Sequence, residues 1–454
     1  MGEQAGLRSR PLPVCGEGAT LSTAEAAAGR AGRLHDGLQF TTMPAERRGE
    51  DAVSKSLIEE LLAKGVEIPS PSSVVVEDVE VSRIEAGVVL YPGCVVRGRE
   101  TLLRAGTRLG RAGGGFFENV RCGERCELYG GYFEDAVFLA DVTMRGHAEV
   151  RGGTLLEEGC EAAHHVGYKM TVCLPYVVAG SLINFCDALV SGGTSRSDHS
   201  EIGSTLALYN FTPWGDKYAS LFGGVARGVF LRERPIFVGG QTQVVSPVRV
   251  GFGAVLTAGS AVRRDVPEDR LYGEATTVID EPFDAVRYGA LLPKFDATRD
   301  FTGNLWALIA WYEQVRIPTA KDALERALYE AALQQLRAGV AERVKRLGKV
   351  ASKLEASRLS HEAAAAAGGE AAARHAKRAA EHAAVQAAWP AWEAAMKQPA
   401  MPPLEALDAV AASYVAWRGD TGRQLVDFVR KGVADADRLA AVATLAQVVQ
   451  AVSQ

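Results

Sequence analysis

Aliphatic residues recur at six-residue intervals through the middle of the chain. One run holds Val238, Val244, Val250, Leu256 and Val262; a second holds Ile84, Leu90, Val96 and Leu102; a third holds Met144, Val150 and Leu156. This beat matches neither the period of about 3.6 of an α-helix nor the alternation of an ordinary strand. It predicts a parallel β-helix, in which each six-residue side of a coil sends one aliphatic side chain to the axis. Small residues such as Gly239 and Gly251 follow two of these positions and let the backbone turn between sides.

The pattern divides the chain. Residues 1–52 are rich in Gly, Ala, Arg and Glu without a sustained period, and are expected to form a disordered arm. Residues 53–72 are expected to hold a short helix, Lys55 to Lys64, capped by Ser54 and ended by Gly65, followed by an Ile68-Pro69-Ser70-Pro71 linker. Residues 73–281 carry the β-helix. The Gly113-Gly114-Gly115 stretch and the segment from Phe211 to Arg234 break its register and are expected to leave the prism as loops. Residues 282–454 are helical in composition. Leu336, Val340, Leu347 and Leu354 form a heptad-like stripe that predicts a helix seeking a partner helix. Gly368-Gly369 and Pro390 are expected to interrupt the helices that follow.

Composition narrows the classes of function. The 454 residues are 47% hydrophobic and 23% charged, with a formal net charge of −5, which gives no reason to expect a nucleic-acid or membrane partner. No apolar run approaches the roughly 20 residues needed to span a bilayer, and the N-terminus lacks a signal pattern. The seven cysteines are scattered and odd in number, and read as reduced thiols in the prism wall. A cytoplasmic location follows as the expectation.

Two stretches carry more than periodicity. Leu61 to Val66 leads through Pro71 to Val88-Val89-Leu90-Tyr91-Pro92-Gly93, and Phe237 to Val248 leads through Ala258-Gly259-Ser260 to Arg264-Asp265-Val266. Together they resemble the start and end of the acetyltransferase half of the bifunctional enzyme family that makes UDP-N-acetylglucosamine. The resemblance covers roughly residues 57 to 270. It implies a left-handed β-helix, a homotrimer, acetyl-CoA sites between subunits, and activity as a coenzyme-A-dependent acyltransferase on a sugar phosphate or nucleotide sugar. It places Asn184-Phe185 in the sugar site, Asn210-Phe211 and Lys217 on the family's Asn-Tyr to Lys stretch, and Gly240, Ser246 and Ala258 on the acetyl-CoA segment. No metal is expected. Nothing before residue 70 supplies the phosphate loop of the family's nucleotidyltransferase half, so no pyrophosphorylase activity is expected. Two positions depart: where the family pattern has Lys and Arg, this chain has Leu189 and Thr171, with Lys169 near enough to substitute for the arginine.

His199, in Arg196-Ser197-Asp198-His199-Ser200-Glu201, is the candidate catalytic base, since acyl transfer needs a group of near-neutral pKa to take a proton; the alternative is an exposed corner histidine. His164-His165 with His199 would make a three-histidine metal site only poorly, because adjacent side chains diverge. Asn210, Lys217, Arg227, Arg232 and Arg234 concentrate donors for phosphate, with Trp214 and Tyr218 as stacking platforms; the alternative is local pairing with acids such as Glu233. Tyr132, Phe133, Phe138 and Tyr168 are candidates for a trimer interface. A non-catalytic prism that binds a nucleotide sugar or a protein partner through its helical region stands as the second reading.

Overall fold

The computed structural model describes residues 45–275, 284–419 and 423–454, with side chains from Ser54 onward. Residues 46–454 form one compact unit. The chain enters through helix α1 (Ala45–Lys64), which begins well before Lys55. Ser54 therefore lies inside the helix and caps nothing; its hydroxyl accepts the Val76 backbone N–H at 3.0 Å and ties α1 to the first coil. The arm expected over residues 1–52 lies outside the described residues up to residue 44.

A parallel β-helix follows, with three faces. A ten-stranded parallel sheet from Val89–Leu90 to Leu271–Tyr272 forms the first face. A sixteen-stranded sheet folds around a corner to give the other two. The second face includes Cys94–Arg97, the starts of Val166–Cys173 and Ile183–Val190, and Gln243–Val245; the third includes Leu102–Leu103, Leu155–Leu156, the ends of the same two long strands, and Arg249–Val250. The corner between them is turned by left-handed residues stacked in a column: Gly98, Asn119, Asp135, Gly153, Met170 and Asp187. Glycine is required at Gly153, where φ is +78° and an added Cβ would strike the Met170 sulfur.

The axis is filled as the six-residue beat requires, by Val238, Val244, Val250, Leu256 and Val262 and by Met144, Val150 and Leu156, all buried in one cluster. Its middle is aromatic: Phe117 stacks on Phe133 at 5.1 Å, and Tyr168, Phe185 and Phe222 meet at 6.4 and 5.7 Å. Each such ring is worth about 1.5–3 kcal/mol of burial. Phe133, Phe138 and Tyr168 are therefore core residues and unavailable to a trimer interface; Tyr132 alone of the expected four is exposed. The beat slips at Leu102, which points outward while Leu103 takes the axial place.

That slip exposes the main architectural fact. The outer side of the third face is also apolar. Leu102, Val137, Leu155, Val172, Leu189 and Leu221 are buried in a single cluster with Phe301, Leu305, Leu308, Leu328 and Leu336 of the C-terminal helices. Helices α3 (Leu292–Trp311) and α4 (Ala323–Ala351) cover this face, α2 being the short Val225–Gly228 turn between coils. Helices α5 (Leu354–Ala366) and α6 (Ala372–Lys397) form a hairpin around Gly368-Gly369, and α6 continues through Pro390. Helices α7 (Glu405–Arg418), α8 (Leu425–Asp427) and α9 (Asp435–Ser453) complete the layer. The heptad-like stripe finds its partners within the chain: Leu336 and Val340 join the third-face cluster, while Leu347 and Leu354 meet Phe295, Val385 and Met396.

Buried polar contacts fix the helices to the coils. Gln335 accepts the Gly153 N–H at 2.7 Å, Tyr312 donates to Glu157 at 2.6 Å, and Arg316 grips Glu158 with bonds of 2.6 and 2.9 Å.

Candidate functional site

Strands Val166–Cys173 and Ile183–Val190 pair in parallel, with Gly167 opposite Asn184 and Lys169 opposite Cys186. Tyr168 and Phe185 fill the axis, so alternation sends Lys169, Asn184 and Cys186 outward on the second face. The next coil adds Ala207–Tyr209 and then Asn210. Asp187 turns the corner with φ +59°, and its carboxylate accepts hydrogen bonds from the Asn210 amide and from Arg343 of α4. Lys217 returns beside this corner on a hairpin closed by the Phe211–Lys217 bridge, its ammonium 6.0 Å from the Phe211 ring centre.

The Cys186 thiol reports the local field. Burial pushes its pKa up and Asp187 adds to the rise, while Arg151, Lys217 and Lys169 pull it down. Arg151, Lys169 and Lys217 all lie near enough to act on this corner of the prism, where the half-buried thiol is 3.6 Å from the Asn184 side-chain oxygen. Such a set of donors suits phosphate and sugar hydroxyls. Cys186, Asp187 and Arg343 were missed in the sequence reading; the available signal was a carboxylate, Asp187, interrupting the apolar run from Phe185 to Val190.

Four of the expected ligand residues therefore come together: Lys169, Asn184, Asn210 and Lys217. Others do not. Arg232 donates to the backbone oxygens of Arg430 and Val433 at 3.1 and 3.0 Å and to Asp435 at 2.8 Å, so it clamps the last helices to the coil and is not a phosphate contact. Arg227 pairs with Glu233 and Glu268, and Arg234 with Asp269. Tyr218 is buried and bonded to Asp216, and Trp214 lies against Tyr288, so the two make no joint stacking platform. Leu189 belongs to the covered third face, where a lysine would meet the apolar helix layer.

His199 lies on the turn between the end of Ile183–Val190 on the third face and Ser200–Ile202 on the first. In a three-sided coil that corner is opposite the second face, which carries Lys169 and Asn184. Its Nδ1 faces the Arg196 carbonyl at 2.9 Å and its Nε2 is 3.6 Å from Glu201. The expected base is thus separated from the expected sugar ligands. Gly240 and Ala258 lie at the corner between the first and second faces, whereas the Ser246 hydroxyl is buried against Ser220 at 2.8 Å at the next corner. These three do not converge on one site. His164 and His165 contact each other at 2.9 Å and His147 stacks on His165, away from His199. Among the described residues no group of three or more His, Cys, Asp or Glu is placed to hold a metal.

The fold is a parallel β-helix of hexapeptide repeats, with a group of polar and cationic side chains where its second and third faces meet. No family model matches the chain. It is similar to the bifunctional protein GlmU of Pelobacter propionicus, with 30% identity over 207 residues, covering 44% of this chain and 41% of that one. It is likewise similar to the GlmU proteins of a Janthinobacterium species (27% over 220 residues) and of Methylobacillus flagellatus (27% over 213 residues). The chain spans about two fifths of the length of these curated relatives.

Proposed function

We propose that this chain is a coenzyme-A-dependent acyltransferase-type protein acting on a sugar phosphate or nucleotide sugar bound at the corner of the second and third faces. The observation that carries this reading is the convergence of Lys169, Asn184, Asn210 and Lys217 there. Acetyl-CoA is the proposed acyl donor, by similarity to the GlmU proteins. The proposed setting is the cytoplasm, supported by the free thiols of all described cysteines and by helices too short or too polar to cross a membrane among the described residues. The proposed homotrimer uses the first or second face, since the chain's own helices cover the third.

A second reading is favoured by one observation, the placement of His199 across the prism from the donor cluster. In it the chain binds a nucleotide sugar without turnover, as a scaffold. Incubation with acetyl-CoA and glucosamine 1-phosphate, followed by thiol release, separates the two. Release above the uncatalysed rate supports the transferase. Firm calorimetric binding of UDP-N-acetylglucosamine without release with any acyl-CoA supports the scaffold and overturns the transferase reading.

A further inference from the structure

A cleft of about 880 Å³ opens where the last coils meet the start of α3, apart from the Lys169 corner. Its walls include Phe211 and Trp214 of the hairpin, Arg249, Arg263 and Arg264 of the final coils, and Lys294 of α3. The acids of the lining are paired, Asp265 with Arg249 of the same wall and Asp296 with Arg299. Among the described residues the Arg263 side chain donates to the Ala261 carbonyl at 3.2 Å and Arg264 to the Tyr272 hydroxyl at 2.8 Å, with the Glu274 carboxylate near both. Lys294 is half-buried and forms no ion pair among the described residues. Its ammonium sits 5.0 Å from the centre of the Tyr218 ring, and burial lowers its pKa against the weaker pull of Asp216. A desolvated cation without a carboxylate partner is a site that an anion stabilises. The aromatic wall is equally unusual for a surface hairpin, since Phe211 is 62% exposed at the lip.

We infer that this cleft binds a nucleotide, its phosphates on Arg263, Arg264 and Lys294 and its base against Phe211 and Trp214. Phosphate alone would need the cations but not the rings, and an apolar ligand the rings but not the cations; a nucleotide uses both. The volume is ample for one. The cleft shares the Phe211–Lys217 hairpin with the Lys169 corner, but its cations come from the final coils and α3, and the Lys169 strand contributes nothing to it. The two sources of such a ligand are an adenine nucleotide, as carried by coenzyme A, and a uridine nucleotide, as carried by a nucleotide sugar.

Calorimetric titration of the full chain with adenosine 3′,5′-bisphosphate, UDP and inorganic phosphate tests it, with Lys294→Met and Arg263→Ala as variants and circular dichroism as the check on folding. One nucleotide is expected to bind more tightly than phosphate, to quench tryptophan fluorescence in the wild type but less in Trp214→Phe, and to lose about tenfold in affinity in each cation variant. Whichever nucleotide binds identifies the source. No binding at millimolar concentration, phosphate binding as tightly as both nucleotides, or unchanged affinity in two folded cation variants would overturn the inference. Lys169→Ala should leave this binding unchanged, so a failed transferase assay and a failed cleft are distinguishable.

Discussion

Arg343 of α4 and Asp187 at the corner of the coil form a salt bridge with side-chain exposures of only 2% and 6%. Asp187 also accepts the Asn210 amide, so one carboxylate joins the helical layer, the coil and the candidate ligand hairpin. Removing the cation leaves a buried, uncompensated charge. Arg343→Met is expected to lower stability by about 3–5 kcal/mol in chemical denaturation, and Asp187→Asn in the same chain to recover part of it. A loss below about 1 kcal/mol would show that water reaches the pair.

The helical layer is integral to the fold. Truncation after Asp284 uncovers Leu102, Val137, Leu155, Val172, Leu189 and Leu221, a contiguous apolar face. The truncated chain is expected to aggregate, as read by light scattering. A soluble, monodisperse β-helix lacking the tail would contradict this packing.

Two buried sites predict opposite pH responses. Burial raises the Glu157 carboxyl to about 7, against the pull of Arg316. A raised folded-state pKa means that Glu157 contributes stability below its ordinary 4.5, and that this contribution is lost as pH rises through about 7. Glu157→Gln, which cannot ionise, should therefore raise the melting temperature at about pH 8 and change it little at about pH 5. Equal effects at both pH values would show that Glu157 is ionised throughout.

His361 and His382 run the other way. Burial lowers both below their ordinary 6.5, and their Nε2 atoms face the backbone oxygens of Tyr288 and Gly289 at 2.8 and 3.1 Å. His375 and Arg287 also disfavour the charged form of His361, and Arg378 that of His382, whereas Glu381 favours it. A base with a lowered folded pKa contributes stability above its unfolded value, lost as pH falls below 6.5. Amide exchange in α5 and α6 should accelerate between about pH 7 and 5.5, beyond the intrinsic change, and less so in His382→Phe. Unchanged protection across that range would sink the assignment.

The axial side chains were legible because six-residue periodicity is local: Val238 to Val262 and Met144 to Leu156 lie where the beat puts them. The third face was written in the sequence too, as adjacent apolar pairs such as Leu102-Leu103 and Leu155-Leu156, the mark of strands buried on both sides. Its occupant was not, since nothing local to Leu155 names the helices that cover it. Site residues divide the same way. Lys169 and Asn184 lie on neighbouring strands in regular register, and their side of the sheet follows from alternation. Arg232 looked like a phosphate donor because its partners, Arg430, Val433 and Asp435, are about two hundred residues away. The corner occupied by His199 depends on how many residues each preceding turn absorbs, which the irregular segment after Val190 conceals.

The central claim is that the Lys169–Lys217 corner holds a phosphorylated sugar. Calorimetric titration of glucosamine 1-phosphate, which carries no nucleotide for the α3 cleft, into the wild type, Lys169→Ala and Lys217→Ala tests it most directly. The ligand should bind the wild type, and each variant should weaken it about ten- to a hundredfold, less at high salt, with the fold unchanged by circular dichroism. Binding that survives both substitutions, or no binding at millimolar concentration, would contradict the account.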